Sequence, residues 1–259
     1  MKTLALAGAL AAATFVAAPA QAQMLAVLVG DDQLVMVDAA AKTAKAPVRV
    51  SGIAGRLLGI DVRPADGMLY GLVADGSVVT IDPMSGKATA KSKLDTMVPA
   101  GVMATVDFNP VADRLRVIGS DGTNLRANVD DGKVTTDGKL KFADADMHKG
   151  ETPMIVAGAY TNSMKGAKET ALYDIDATIG GLIKQVPPND GVLNAVGKLG
   201  VKGKAWAFDI ATKSDGSNEG WLLVDGTLHK VDLATGKATE TGKVAAIAAG
   251  RDMAVLPAM

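Results

Sequence analysis

Four aspartates recur at one position of a repeated strand pattern. They are Asp61 in Gly-Ile-Asp-Val-Arg-Pro, Asp107 in Thr-Val-Asp-Phe-Asn-Pro, Asp209 in Ala-Phe-Asp-Ile and Asp252 in Gly-Arg-Asp-Met. Carboxylates gathered from separate strands are hard oxygen ligands of the kind Ca2+ takes. A metal centre built from Asp61, Asp107, Asp209 and Asp252, with Ca2+ as the fitting cofactor, is one expectation. The corresponding place in the remaining copy holds Ala159. A residue type repeated in most copies of a unit also serves as scaffolding. On that account the aspartates accept neighbouring backbone N–H groups or pair with Arg63 and Arg251, and this is the preferred reading.

A second constellation is basic. Asp113-Arg-Leu-Arg116 and Asn124-Leu-Arg126 set three guanidinium groups on adjacent strands, with Arg114 and Arg116 on one face by alternation. Paired arginines can grip a carboxylate or phosphate bidentately, so Arg114, Arg116 and Arg126 are candidate ligand-binding residues. The plainer account, which is favoured, is internal pairing with Asp107, Asp113 or Asp130.

Other signals are weaker. Asp144-Ala-Asp146-Met-His148-Lys-Gly150-Glu151 spaces oxygen ligands at alternate positions but lacks the third acid and the central glycine of a calcium loop. It reads as a solvated connector. The two histidines, His148 and His229, are far apart and no Gly-x-Ser-x-Gly elbow accompanies them. The twelve methionines are scattered, as core fillers are, and aromatic residues make up only 3% of the chain. Cysteine is absent, which excludes disulfides and thiolate chemistry. With 27 basic against 28 acidic side chains, nothing points to nucleic acid.

These residues must be positioned by strands. The dipeptide Val/Ile-Asp recurs at Val37-Asp38, Ile81-Asp82, Val129-Asp130, Ile175-Asp176 and Val231-Asp232, so the spacings are 44, 48, 46 and 56. Counting on from Asp232 through Met259 and back to Asp38 from Gln23 gives 43, so the circular gap matches the linear ones. A period in the forties with several short strands per copy is the signature of a propeller. The expected fold is all-β, a propeller of five four-stranded blades. The first blade lacks an innermost strand, and the segment Arg251–Pro257 at the C-terminus supplies it, which removes a free sheet edge. Six blades are the alternative and would need a further unit inside the 56-residue interval. Eight Asp-Gly pairs, Asp75-Gly76 and Asp225-Gly226 among them, predict hairpin turns with positive φ at both residues.

The chain opens with Lys2, an apolar run over Leu4–Ala18 and Ala20-Gln21-Ala22. That is the layout of a secretory signal peptide, with cleavage expected after Ala22. The run is short of the roughly 20 residues needed to span a bilayer. The expected organisation is a signal peptide over residues 1–22 and one propeller domain over 23–259. The mature protein is then periplasmic or secreted, with no membrane span.

The stretches Gly59-Ile-Asp-Val-Arg-Pro64, Leu69-Tyr-Gly71, Val106–Arg116, Asn124-Leu-Arg126, Ala159-Tyr-Thr-Asn-Ser163, Leu172–Asp176, Pro187-Pro-Asn189 and Leu193-Asn194 resemble a family of bacterial exported proteins, domain of unknown function 4394. The resemblance covers nearly the whole mature chain and implies a secreted propeller-like domain. It carries over no catalytic or ligand residues. The functional expectation is therefore a non-enzymatic binding or interaction module for a small molecule or protein. The alternative is a cation-dependent, lactonase-like hydrolase with an axial metal.

Overall fold

In the computed structural model the described residues are 23–257, and within them the chain forms five sheets, each built on four antiparallel strands, arranged as a five-bladed β-propeller. The expected signal peptide lies outside the described residues. Blade 2 is a plain meander of Leu57–Val62, Leu69–Val73, Ser77–Ile81 and Ala88–Lys93. Blade 3 comprises Ala104–Asn109, Arg114–Gly119, Asn124–Ala127 and Val134–Thr136. Blade 5 comprises Trp206–Thr212, Asn218–Val224, Thr227–Val231 and Ala238–Lys243. The first-named strand of each is innermost and packs against the innermost strands of both neighbours around the ring.

Blade 1 closes the ring as the repeat arithmetic requires. Its inner strand is Gly250–Val255, paired antiparallel to Met24–Val29, which pairs in turn with Gln33–Asp38. Its outer edge is divided between Thr43–Ala44 and Val48–Arg49. Blade 4 is built on Ile155–Tyr160, Leu172–Asp176, Gly181–Gln185 and Val192–Lys198. It also carries a fifth strand that the sequence did not announce, Lys141–Phe142, which lies parallel to Val192 and Leu193. The 56-residue interval holds no sixth blade. It contains the outer half of blade 4 and three strands of blade 5, two of them seven residues long.

The inner strands of each blade are buried on both faces because each blade is sandwiched between two others, while the outermost strands are more exposed. Leu25 and Val27 pack with Ala207, Trp221 and Leu223 of blade 5, while the alternate residues Ala26 and Leu28 pack with Leu57 and Ile60 of blade 2. That is why the inner strands read as apolar runs rather than as alternating patterns.

The turns partly differ from expectation. Only Asp225-Gly226 has positive φ at both residues, 47° and 85°. At Asp66, Asp75, Asp121, Asp131 and Asp215 only the following glycine is left-handed. There the aspartate side chain accepts the N–H two residues on, as Asp75 does from Ser77 at 2.9 Å. Asp137-Gly138 makes no such turn. The repeat also shifts in blade 3, where Asn128, not Asp130, accepts the turn N–H and its carbonyl receives Gly132 N–H. Asp130 is thereby released to pair with Arg63 and Lys91.

Candidate functional site

An innermost strand has a sheet partner on one side only, so alternate N–H groups on its other edge need acceptors from elsewhere. The recurrent aspartates supply them, reaching from one blade to the next. Asp252 Oδ2 accepts Ile60 N–H at 2.8 Å, Asp61 Oδ2 accepts Phe108 N–H at 2.7 Å, and Asp107 Oδ1 accepts Tyr160 N–H at 3.0 Å. Asp209 Oδ2 accepts Val255 N–H at 2.5 Å, which ties blade 5 to blade 1. Asp61 and Asp209 also take the N–H of the next residue, Val62 and Ile210, at 2.6 Å. The relay is interrupted once, at Ala159. There the seam to blade 5 is apolar, with Trp206, Phe208 and Ile210 packed around it. It is fastened instead by Asn162 and Asn218, whose side-chain amides bond at 2.8 Å while Asn218 Oδ1 also takes Asn162 N–H.

All four carboxylates are buried, and one oxygen each from Asp61, Asp107 and Asp209 lies within 4.8 Å of the other two. Asp252 is outside that trio. Burial raises every member. Asp61 is held well above the usual carboxylate range by burial and then by the charge of Asp209. Asp107 is raised by burial and then by Asp61 and Asp209. Burial pushes Asp209 up to about 6 and Asp252 up to about 8. The expected partner Arg63 lies elsewhere, bonded through its guanidinium to Asp113 and Asp130. Arg251 donates to the carbonyls of Gly30, Leu57 and Leu58 instead of forming an ion pair.

The arginine constellation is brought together, but by the aspartate of an Asp-Gly pair that predicts a turn. Asp137, itself buried, sits between Arg116 at 2.5 Å and Arg126 at 2.6 Å. Arg116 is enclosed and gives its remaining donors to Tyr160, Asn124 and Asn189. Arg114 is not part of the group and bonds the carbonyls of Ala112 and Asp113. The expected partners Asp107, Asp113 and Asp130 are therefore replaced by Asp137. The Asp144–Glu151 segment is a connector, with Asp146 accepting the N–H groups of His148 and Ala195 and Asp144 paired to Lys149.

Sequence reasoning missed the channel mouth. Where the inner strands begin, a cavity of about 140 Å3 is lined by Arg56, Lys204, Arg251, Leu58, Ile155, Trp206 and their neighbours, with no carboxylate among them. Leu58 is three positions before Asp61 and Ala104 three before Asp107, so these mouth residues stand about 10 Å along the strands from the trio of Asp61, Asp107 and Asp209, whereas Arg251 is next to Asp252. Arg56 and Lys204 come from loops and do not repeat, so no periodic signal marks them.

The molecule is thus a five-bladed propeller with a basic, apolar mouth at one end of its axis and a carboxylate relay within. The chain belongs to the family described as domain of unknown function (DUF4394), whose model matches residues 33–254. No match was found among curated protein sequences. Among solved structures, a protein of unknown function from Bacteroides thetaiotaomicron is similar at 15% identity and a TM-score of 0.50. The match covers 86% of this chain but 58% of that one. A protein of unknown function from Bacteroides caccae matches at 12% identity and a TM-score of 0.43, covering 91% of this chain and 99% of that one. An auxiliary nutrient binding protein from Bacteroides thetaiotaomicron matches at 13% identity and a TM-score of 0.46, covering 82% of this chain and 57% of that one.

Proposed function

We propose that this protein is an exported, non-enzymatic binding module of the periplasm or extracellular space that receives a small anionic organic ligand at the axial mouth. The observation that carries the reading is the lining of that cavity, where Arg56, Lys204 and Arg251 stand beside Leu58, Ile155 and Trp206 without a carboxylate. Cationic groups around an apolar floor favour a carboxylate head on a short hydrocarbon. Arg251, tied to three backbone carbonyls, is pre-positioned, whereas Arg56 and Lys204 flank it from loops. The test is calorimetric titration with a series of short monocarboxylates and dicarboxylates. Binding that is lost in Lys204→Glu and retained in Lys230→Glu supports the reading. Absence of binding across the series, or indifference to Lys204→Glu, overturns it.

The convergence of Asp61, Asp107 and Asp209 favours a second reading, in which the relay holds a divalent cation such as Ca2+. Oxygens within 4.8 Å of one another can share an ion at about 2.4 Å. Chelation and then added Ca2+ should lower and raise Tm, and a Tm unmoved by both rejects a cation there. A hydrolase would further need a base beside the relay. His148 lies in the blade 4 connector, paired to Glu151, and His229 lies on the third strand of blade 5, which favours the binding module.

A further inference from the structure

The seam between blades 3 and 4 has a different chemistry from the other four. Blade 3 contributes only Ile118 to its apolar cluster, and the residues sharing that face are polar, among them Thr105, Asp107, Arg116, Asn124 and Arg126. The guanidinium and amide donors of Arg116 and Asn124 are committed, while the buried Thr105 hydroxyl has no partner. Arg116 is engaged by four partners, Asn124 Nδ2 gives to Gly138 O and Pro188 O, and Gln185 Nε2 gives to Pro188 O at 2.6 Å. Acceptors are left over. Gln185 Oε1 and both oxygens of Asp174 have no hydrogen-bond partner, although Gln185 is 1% exposed and Asp174 0%. Asp174 stands opposite Gly158, where a Cβ would meet its Oδ1 at 2.5 Å, so the glycine makes the room the carboxyl occupies. Buried polar atoms without partners are rare and call for an explanation.

The seam opens at the far ends of the inner strands into a cleft of about 390 Å3. Tyr160, Leu172 and Gln185 line it, one step along the sheet from Asp174, with Val186 on a wall and Glu169 at the rim. Glu169 forms no ion pair among the described residues; Lys184 also lines the cleft, but its ammonium turns away to lie 5.9 Å over the Tyr173 ring.

We propose that this cleft is a second binding site, for a small organic amine bound as its alkylammonium ion. Gln185 Oε1 and the exposed Glu169 carboxylate are uncommitted acceptors, and Leu172, Val186 and Pro188 offer apolar walls, so a cationic donor on a short hydrocarbon matches them. The site is independent of the axial mouth, which lies where the inner strands begin. The carboxyl of Asp174, pushed up to about 8 by burial, adds a group that a bound cation would ionise.

The test compares three four-carbon probes by calorimetry on the purified protein, n-butylammonium, 1-butanol and butyrate, at up to about 10 mM, a range that reaches weak binding. Butylammonium should bind, 1-butanol should not, and butyrate should not compete with it. Gln185→Leu should weaken butylammonium about tenfold or more, and Glu169→Gln by a smaller factor. Glu169 is exposed, so its variant remains a valid test if Gln185→Leu fails to fold. Equal binding of 1-butanol, no binding of butylammonium, or affinity unchanged by Glu169→Gln overturns the proposal.

Discussion

Asp252 Oδ2 accepts the backbone N–H of Ile60 at 2.8 Å across 192 positions of sequence. The bond joins the strand contributed by the C-terminus to the first complete blade. It is one link of a relay that satisfies the free edges of the inner strands, so the aspartates are scaffold whatever else they do.

Asp252→Ala should therefore leave the Ile60 N–H buried without an acceptor, at a cost of about 1–3 kcal/mol. Asp252→Asn retains an acceptor oxygen and should cost less. Urea unfolding of both variants checks this, and equal losses would reject the hydrogen-bond account.

Stability should fall as pH rises. Asp209 and Asp252 are raised in the folded protein to about 6 and about 8, against about 3.9 when unfolded. Between those limits the native state binds more protons than the unfolded chain, so unfolding free energy declines with pH. The contribution is complete below about pH 4 and is lost as pH climbs through each folded value. Chemical denaturation across this window should show the decline, and Asp252→Asn should flatten its upper half.

Removing Arg116 should be far costlier than removing Arg114. Arg116→Met strands the buried Asp137 with only Arg126, a loss of about 3–5 kcal/mol for breaking one partner of an enclosed pair. Arg116→Met combined with Asp137→Leu should recover part of that loss. A double-mutant cycle by urea titration measures the coupling, and additive losses would show that the pair is not coupled.

Gly158→Ala should destabilise through steric conflict, because its Cβ would stand 2.5 Å from Asp174 Oδ1. The same change with Asp174→Ala should be milder than the single substitution, by thermal melting. Equal Tm losses would mean that the glycine is not there to admit the carboxyl.

The period in the forties, the match between the linear and circular gaps, and the inner-strand pattern at Arg251–Pro257 were enough to determine five blades and their closure. Those features are local or periodic, and a propeller repeats its local chemistry. The recurrence of Asp61, Asp107, Asp209 and Asp252 and their service as acceptors of backbone N–H groups were legible, but which N–H each one takes was not. An edge N–H has no letter in a sequence, so its acceptor emerges only when the neighbouring blade is in place. Asp137 read as a turn residue because Asp-Gly is a turn signal. Its pairing with Arg116 and Arg126 depends on how blade 3 folds over its own outer edge. Arg56 and Lys204 belong to no repeat and meet only because five strands begin at one end of one axis. The blade, its count and its closure thus follow from short-range propensity and period. Which charges converge follows from packing across seams between residues far apart in the chain.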